Sequence, residues 1–374
     1  MPDELKIESC CRTRIILNPS NPQTLQTLNQ SIKAMKLRTL LTTLTVLLLA
    51  SSCEKALIPD NPAASATLVF NHLWQQVDER YSMFDVKNID WQQVYDTLRP
   101  QVRDGMDPDS LFALCAAMLN TLCDGHVNLY GTWDVSRSDS VHRRFYTDDG
   151  IDINTVVLNY LGIGYHSTGG IAHNALCDGK VIYMRYGSFS SGISEKQLRH
   201  IIASYPDAQG IIFDIRGNGG GSIANIINLL SVMPSHGQEI YRSQIKAGPA
   251  HDDFTPLVPS FAPRNTGDAY SKPVLVLTDR GCFSAASTFA VATQAYDNIR
   301  LMGDTTGGGM GLPAMGALPN GWRYRLSVTR TLALDGCNYE NGVPPDILLK
   351  FDPQAATQGR DNIIDSACAI ILNP

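Results

Sequence analysis

The chain has 374 residues, 44% of them hydrophobic and 18% charged, with a formal net charge of -6. This balance excludes an unfolded chain and offers no basic excess for holding nucleic acid. The length predicts two to three domains.

Residues 1–34 differ in character from the rest of the chain, and a start at Met35 makes them a start-site artefact. Met35 opens a stretch with Lys36 and Arg38, then an apolar run from Leu40 to Leu49 and the small residues Ala50, Ser51 and Ser52 before Cys53. A charged region, a short apolar region and a small-residue cleavage site in that order predict a lipoprotein signal peptide over 35–52. Cys53 is then the lipidated residue, holding the chain at a membrane of the cell envelope. The alternative is a short anchor that is never cleaved, although the run is short for a bilayer. Pro59, Pro62 and several alanines make 53–65 a tether.

Helical periodicity then begins. Leu68, Val69, Leu73, Trp74, Val77 and Tyr81 recur at three- and four-residue spacing. A second segment opens at Asp90 and carries Trp91, Val94 and Leu98; a third begins near Asp109, with Leu111, Leu114, Cys115, Met118 and Leu122 on one face. Together they predict a small N-terminal helical domain over 66–128. Residues 129–179 read as a short β-rich connecting segment, with strands of its own between Val157 and Ala172. From Lys180 the pattern changes to short apolar runs separated by helices, the signature of a largely parallel sheet, so 180–374 forms an α/β core. Val181 to Tyr186, Gly210 to Ile215 and Val274 to Thr278 read as buried strands, Ser222 to Met233 and Ser284 to Tyr296 as helices. A long strand, Arg323 to Leu334, and a helix over Asn362 to Leu372 complete it.

Candidate chemistry lies in the turns of this core. Ser284 opens the helix that follows the strand Val274 to Thr278, so its hydroxyl lies near the positive helix end, where a developing alkoxide is stabilised. The Ala285 amide is placed to donate to an oxyanion. The same position is the ordinary place for a serine that caps its helix. After Gly210 to Ile215 comes Arg216, Gly217, Asn218, Gly219, Gly220, Gly221 and Ser222, a run that permits close backbone approach. It lacks the lysine of a phosphate loop and the third spaced glycine of a dinucleotide site, so Gly219 and Gly220 read as oxyanion donors, with a plain tight turn as the alternative. His126 follows the third helix, and Glu340 stands in a late loop where a carboxylate would orient a histidine; the alternatives are an ordinary surface or core histidine and a plain solvated loop glutamate. The six cysteines after Cys53 (115, 123, 177, 282, 337 and 368) are irregularly spaced, with no C-x-x-C pair, and give neither a zinc site nor a redox motif.

In combination and order, these pieces resemble the S41 family of tail-specific and tricorn-type peptidases over residues 66–352. The stretches that carry the resemblance are Leu122 to His126, Ile212 to Gly221, Thr278 to Ser287, Gly303 to Gly309 and Glu340 to Asp346. Tail-specific members pair their serine with a lysine beyond it, but no lysine occurs from Ala285 through Leu349. The resemblance therefore implies the tricorn-type set of histidine, serine and glutamate, with His126, Ser284 and Glu340 at the matching positions. Those members also carry a serine just before the histidine; here Gly125 stands there, so Glu340 would reach His126 directly or through water.

The fold implied is a crotonase- or ClpP-like α/β core with a mixed, largely parallel sheet, preceded by the helical domain. The segment between His126 and Lys180 is too short for a PDZ domain. The activity implied is hydrolysis of peptide bonds in exported proteins or peptides through an acyl-enzyme on Ser284, with His126 as general base and Gly219, Gly220 and Ala285 holding the oxyanion. Neither metal nor organic cofactor is implied. The rival is an inactive lipid-anchored protein of the same fold that holds peptides or glycans in its groove. A dinucleotide enzyme built on Gly217 to Gly221 would need an acidic residue ending the next strand, and Glu239 is poorly placed.

Overall fold

The computed structural model describes residues 64–138, 150–265 and 268–373. Residues 1–34, the expected signal peptide over 35–52, Cys53 and all but the last two residues of the tether lie outside the described residues.

The first helices follow the apolar spacing of the sequence. α1 (Ala66–Arg80) starts where the Ser65 hydroxyl accepts the Leu68 amide, and α2 (Phe84–Lys87) is a single turn. α3 (Trp91–Leu98) and α4 (Pro108–Asn120) are capped by Asp90 and Asp107, whose carboxylates accept the Gln93 and Ser110 amides. Val69, Leu73 and Val77 of α1 and Leu111, Cys115 and Met118 of α4 face one core, to which Leu318, Trp322, Tyr324 and Leu326 also belong. Trp322 meets Phe112 edge-on at 5.4 Å. The N-terminal helices are thus packed onto a segment that the chain reaches two hundred residues later.

Thirteen strands occur among the described residues: β1 (Asn128–Tyr130), β2 (His166–Thr168), β3 (Ile171–Leu176), β4 (Val181–Tyr186), β5 (Gly210–Asp214), β6 (Glu239–Ile245), β7 (Val258–Phe261), β8 (Val274–Thr278), β9 (Ile299–Gly303), β10 (Pro313–Ala317), β11 (Arg323–Ser327), β12 (Thr329–Leu332) and β13 (Ile347–Leu348). The later helices are α5 (Ile153–Thr155), α6 (Glu195–Ala203), α7 (Ala224–Leu230), α8 (Ala285–Thr293), α9 (Pro353–Thr357) and α10 (Asn362–Leu372). Seven strands form the central sheet in the order β13-β9-β8-β5-β4-β3-β2. The first five run parallel and the last two continue antiparallel, which is the mixed, largely parallel sheet that the sequence predicts.

Each strand serves two faces because side chains alternate along it. Ile182 and Met184 of β4 join the core beneath α6, α7 and α8, whereas Val181 and Tyr183 join the one beneath α10. Two β-rich readings differ from the structure. Between 153 and 161 the Asp152 carboxylate accepts the Asn154 and Thr155 amides, starting a helix that widens to π form over Val156–Leu161 and stops at Gly162. β2 and β3 then extend the central sheet instead of forming one of their own. The expected strand Arg323 to Leu334 is two strands: β11 pairs with β1 and β10, β12 with β6. A change of partner leaves no mark on the apolar period, which reports burial and not identity of the neighbour.

The end of β5 is pinned by a buried ion cluster. Arg216, with no exposed side-chain surface, donates to Asp214 at 2.7 Å and to Asp361 at 2.9 Å, while the Tyr183 hydroxyl donates to Asp214 at 2.7 Å. Asp361 also caps α10 through the Ile363 and Ile364 amides. Asp361→Ala therefore strips a buried guanidinium of one partner and a helix of its cap, and should lower unfolding free energy by about 3–5 kcal/mol in a denaturant titration. Arg360→Ala, which removes only the surface pair with Asp365 at 2.7 Å, should cost less than about 1 kcal/mol. Equal losses for the two would contradict the assigned role of the cluster.

Candidate active site

The turn between β8 and α8 places Ser284 at φ 58° and ψ -122°. A non-glycine residue in that region costs about 1–3 kcal/mol and persists only where its surroundings over-determine it. They do: the Ser284 amide donates to the Gly308 carbonyl at 2.9 Å, the Phe283 amide to the Asn218 carbonyl at 3.0 Å, and the Cys282 amide to Asp279 Oδ1 at 3.1 Å. The Ser284 hydroxyl makes no capping hydrogen bond, so the capping role that the sequence left open is not what this serine does.

The glycine loop after β5 is laced to the same turn. Asp279 Oδ1 accepts the Gly217 amide at 2.8 Å. Buried Asn218 donates to the Tyr186 carbonyl at 2.8 Å, and its Oδ1 accepts the Gly220 amide at 2.9 Å. That last bond corrects one expectation, since the Gly220 N–H is committed to a side chain and is not left over for an oxyanion. Gly220 matters sterically. At φ +96°, a Cβ there would stand 2.6 Å from the Phe283 carbonyl oxygen and 2.7 Å from Ser284 Cβ. Gly219 faces open space, and neither its amide nor that of Ala285 donates to another group among the described residues.

One tetrapeptide, Gly308 to Gly311, touches everything else. The Gly308 carbonyl takes the Ser284 amide, the Gly309 amide donates to the Glu340 carbonyl at 3.0 Å, and the Met310 and Gly311 amides donate to Glu340 Oε2 at 2.8 and 3.1 Å. The His126 ring lies against the Phe283 ring with centroids 4.8 Å apart. The structure thus brings Ser284, His126 and Glu340 to one place. In this conformation no hydrogen bond joins the serine hydroxyl, the imidazole and the Glu340 carboxyl to one another, and the buried Nδ1 of His126 has no hydrogen-bond partner.

Burial first, and then Arg325, hold the His126 imidazole below its ordinary pKa; Asp124 and the nearby Gly311 carbonyl pull the other way. Burial, then Asp124, push the Glu340 carboxyl well up. Sequence reasoning missed Asp124, Asn218 and Ser287. Ser287 is fully buried, donates to the Cys282 carbonyl at 2.9 Å and accepts the Gly308 amide at 3.1 Å, fixing the tetrapeptide on the nucleophile turn. All three lie inside the stretches that carry the family resemblance, but short polar residues are common in turns and nothing in their spacing marks them out. Among the described residues no group of three or more His, Cys, Asp or Glu side chains is disposed to hold a metal ion.

Comparison with known proteins identifies the family. The sequence profile of Peptidase family S41 matches residues 180–349, and that of the Tricorn protease C1 domain matches residues 62–120. A solved structure of a provisionally assigned peptidase from Parabacteroides merdae ATCC 43184 is 35% identical and superposes with a TM-score of 0.78, covering 82% of this chain and 97% of its own. Mature CPAF, at 14% identity, covers 82% of this chain and 98% of its own with a TM-score of 0.61, a likeness of fold alone. Carboxy-terminal processing protease CtpA of Bacillus subtilis (strain 168) is 26% identical over 178 residues, 47% of this chain. That match spans 36% of the Bacillus protein, about a third of its length.

The two neighbouring glycines should behave oppositely. Gly220→Ala, which drives a methyl group into Ser284 and the Phe283 carbonyl at a left-handed φ, should lower stability by more than about 2 kcal/mol in a urea titration. Gly219→Ala should stay within about 1 kcal/mol of the parent. The reverse order would show that the loop does not pack on the serine turn as described.

Proposed function

The chain belongs to peptidase family S41, and from that premise we propose that it is a serine-type peptidase in which Ser284 is the nucleophile and His126 the general base. The observation that carries this reading is the serine itself: held at a left-handed φ, uncapped, at the start of a buried helix, with the unengaged Gly219 and Ala285 amides beside it. A serine hydroxyl is far too weak an acid to ionise at neutral pH, so a neutral imidazole has to take its proton as it attacks the scissile carbonyl. His126 is suited to this because burial favours the neutral ring, and its Nδ1 is committed to no other group. The hydrogen bond to Ser284 forms as substrate binds, since such contacts tighten in the Michaelis complex. The imidazolium then gives the proton to the leaving amine, and water repeats the cycle on the acyl-enzyme.

Gly219 and Ala285 stabilise the oxyanion, and Glu340 fixes the Met310 and Gly311 amides that line the histidine. Substrates are exported proteins or peptides, and the processing activity of the Bacillus relative makes carboxy-terminal segments the first to test. Cys53 carries the lipid that keeps the enzyme at the cell envelope.

Intact-mass spectrometry after treatment with a fluorophosphonate tests the core of this proposal. The parent chain should gain one phosphonyl group, and Ser284→Ala and His126→Ala should lose labelling by at least about 10³-fold. The base must be unprotonated to act, so the labelling rate should rise as pH climbs through the His126 pKa and level off above it. Because that pKa is lowered, the midpoint of the rise should lie below the ordinary imidazole value of about 6.5. A folded parent chain that takes no label, or a Ser284→Ala chain that still does, would defeat the reading.

A further inference from the structure

We propose that Arg325 holds a carboxylate of the bound peptide beside His126, giving the site a preference for segments that carry one close to the bond to be cut. The inference rests on the peptidase reading and adds to it a residue that selects substrate.

Backbone register places this arginine. β1 begins two residues after His126, and its first residue, Asn128, lies directly opposite Arg325 of β11. Side chains alternate along β11: Tyr324 and Leu326 are buried in the core of the N-terminal helices, so Arg323, Arg325 and Ser327 stand on the other face. That face sinks toward the histidine. Arg323 is exposed, Arg325 is half-buried and Ser327 is fully buried. The Ser327 hydroxyl donates to Asp124 Oδ2 at 2.8 Å, and Oδ1 of the same carboxylate accepts the His126 amide at 2.8 Å. A cation so placed opposes protonation of the His126 ring, as Arg325 does.

What the arginine lacks is a partner. Its Nε is buried with nothing to donate to, and among the described residues its guanidinium makes no hydrogen bond and no ion pair. A cation half out of water without an acceptor costs free energy. Elsewhere the fold avoids that cost, setting Arg185, Arg216 and Arg330 each on an acid, and Arg80 and Arg99 on side-chain oxygens. Across the strands Arg325 meets Asn128, whose amide donates to the Ser136 carbonyl at 3.0 Å, and Met315, which is exposed; neither is an anion. Asp124, the acid bonded to this face, already accepts three donors: the His126 amide and the Tyr81 and Ser327 hydroxyls. An open guanidinium fork is matched by a planar anion that takes two parallel N–H bonds. A peptide supplies that anion as a carboxylate, at an acidic side chain or at its chain end.

Peptide retention by the full chain bearing Ser284→Ala, which binds without turnover, tests this. The ligands are synthetic peptides mixed in matched pairs, free acid against C-terminal amide and Asp or Glu against Asn or Gln, with the retained fraction of each read by mass spectrometry. Carboxylate members should be retained at least about 10-fold over their amide partners, the factor expected of a charge-assisted bidentate pair. The kind of pair that shows the preference tells chain end from side chain. Adding Arg325→Gln should abolish it, whereas adding Arg323→Gln, at the exposed arginine on the same face, should keep it. Arg325 has no bond to lose, so the variant should fold; should it not, Arg325→Lys, which keeps the charge but not the fork, should still cut the preference. Equal retention within every pair, a preference that survives Arg325→Gln or is undiminished in Arg325→Lys, or one lost equally in Arg323→Gln, would overturn the proposal. Failure of Ser284 in the parent chain to take a fluorophosphonate would count against the peptidase reading and leave these retention ratios valid.

Discussion

Four backbone units, from Gly308 to Gly311, carry the constraint on which the site depends. Ser284, His126 and Glu340 are separated by 56 to 214 positions in the chain, and none reaches another through a side-chain hydrogen bond. They are gathered because one short segment offers a carbonyl to the serine turn, amides to the glutamate and a further carbonyl toward the imidazole. Glycine is required within it: a Cβ on Gly308 would lie 1.9 Å from the Glu340 carbonyl oxygen, and one on Gly309 would enter the Phe283 ring. A side chain at either position would push the glutamate loop or the nucleophile turn out of register.

Rigidity elsewhere serves this gathering. The strained backbone of Ser284 is stable only because its neighbours are tied on both sides, to Asn218 and Asp279 on one and to Gly308 and Ser287 on the other. Those ties rest on the end of β5, where the Arg216 cluster joins the glycine loop to α10 beneath the sheet. Such an ion cluster adds little net stability over apolar packing, but removing one member leaves charge stranded, so it fixes one arrangement against others.

The parts of the fold legible in the sequence are those set by local rules. Buried strands β4, β5 and β8 showed as apolar runs, and helix starts showed at Asp90 and near Asp109, because alternation and capping act within a few residues. Partner choice does not act locally, which is why β11 and β12 read as one strand and why the N-terminal helices gave no hint that Trp322 completes their core. The site followed the same division. Ser284 and His126 are legible as candidates by position, and their association came from resemblance. What escaped was finer geometry: that Asn218 occupies the Gly220 amide, that Glu340 turns toward two amides, and that Asp124 binds the histidine's turn.

A crystal structure of the chain after reaction with a peptidyl phosphonate measures the central claim at atomic level. The account predicts phosphorus bonded to Ser284 Oγ, a phosphonyl oxygen within hydrogen-bond distance of the Gly219 and Ala285 amides, and the His126 ring in contact with the adduct while Gly308 to Gly311 keep their present bonds. Phosphorus on another residue, or an adduct on Ser284 with His126 turned away and the tetrapeptide displaced, would contradict it.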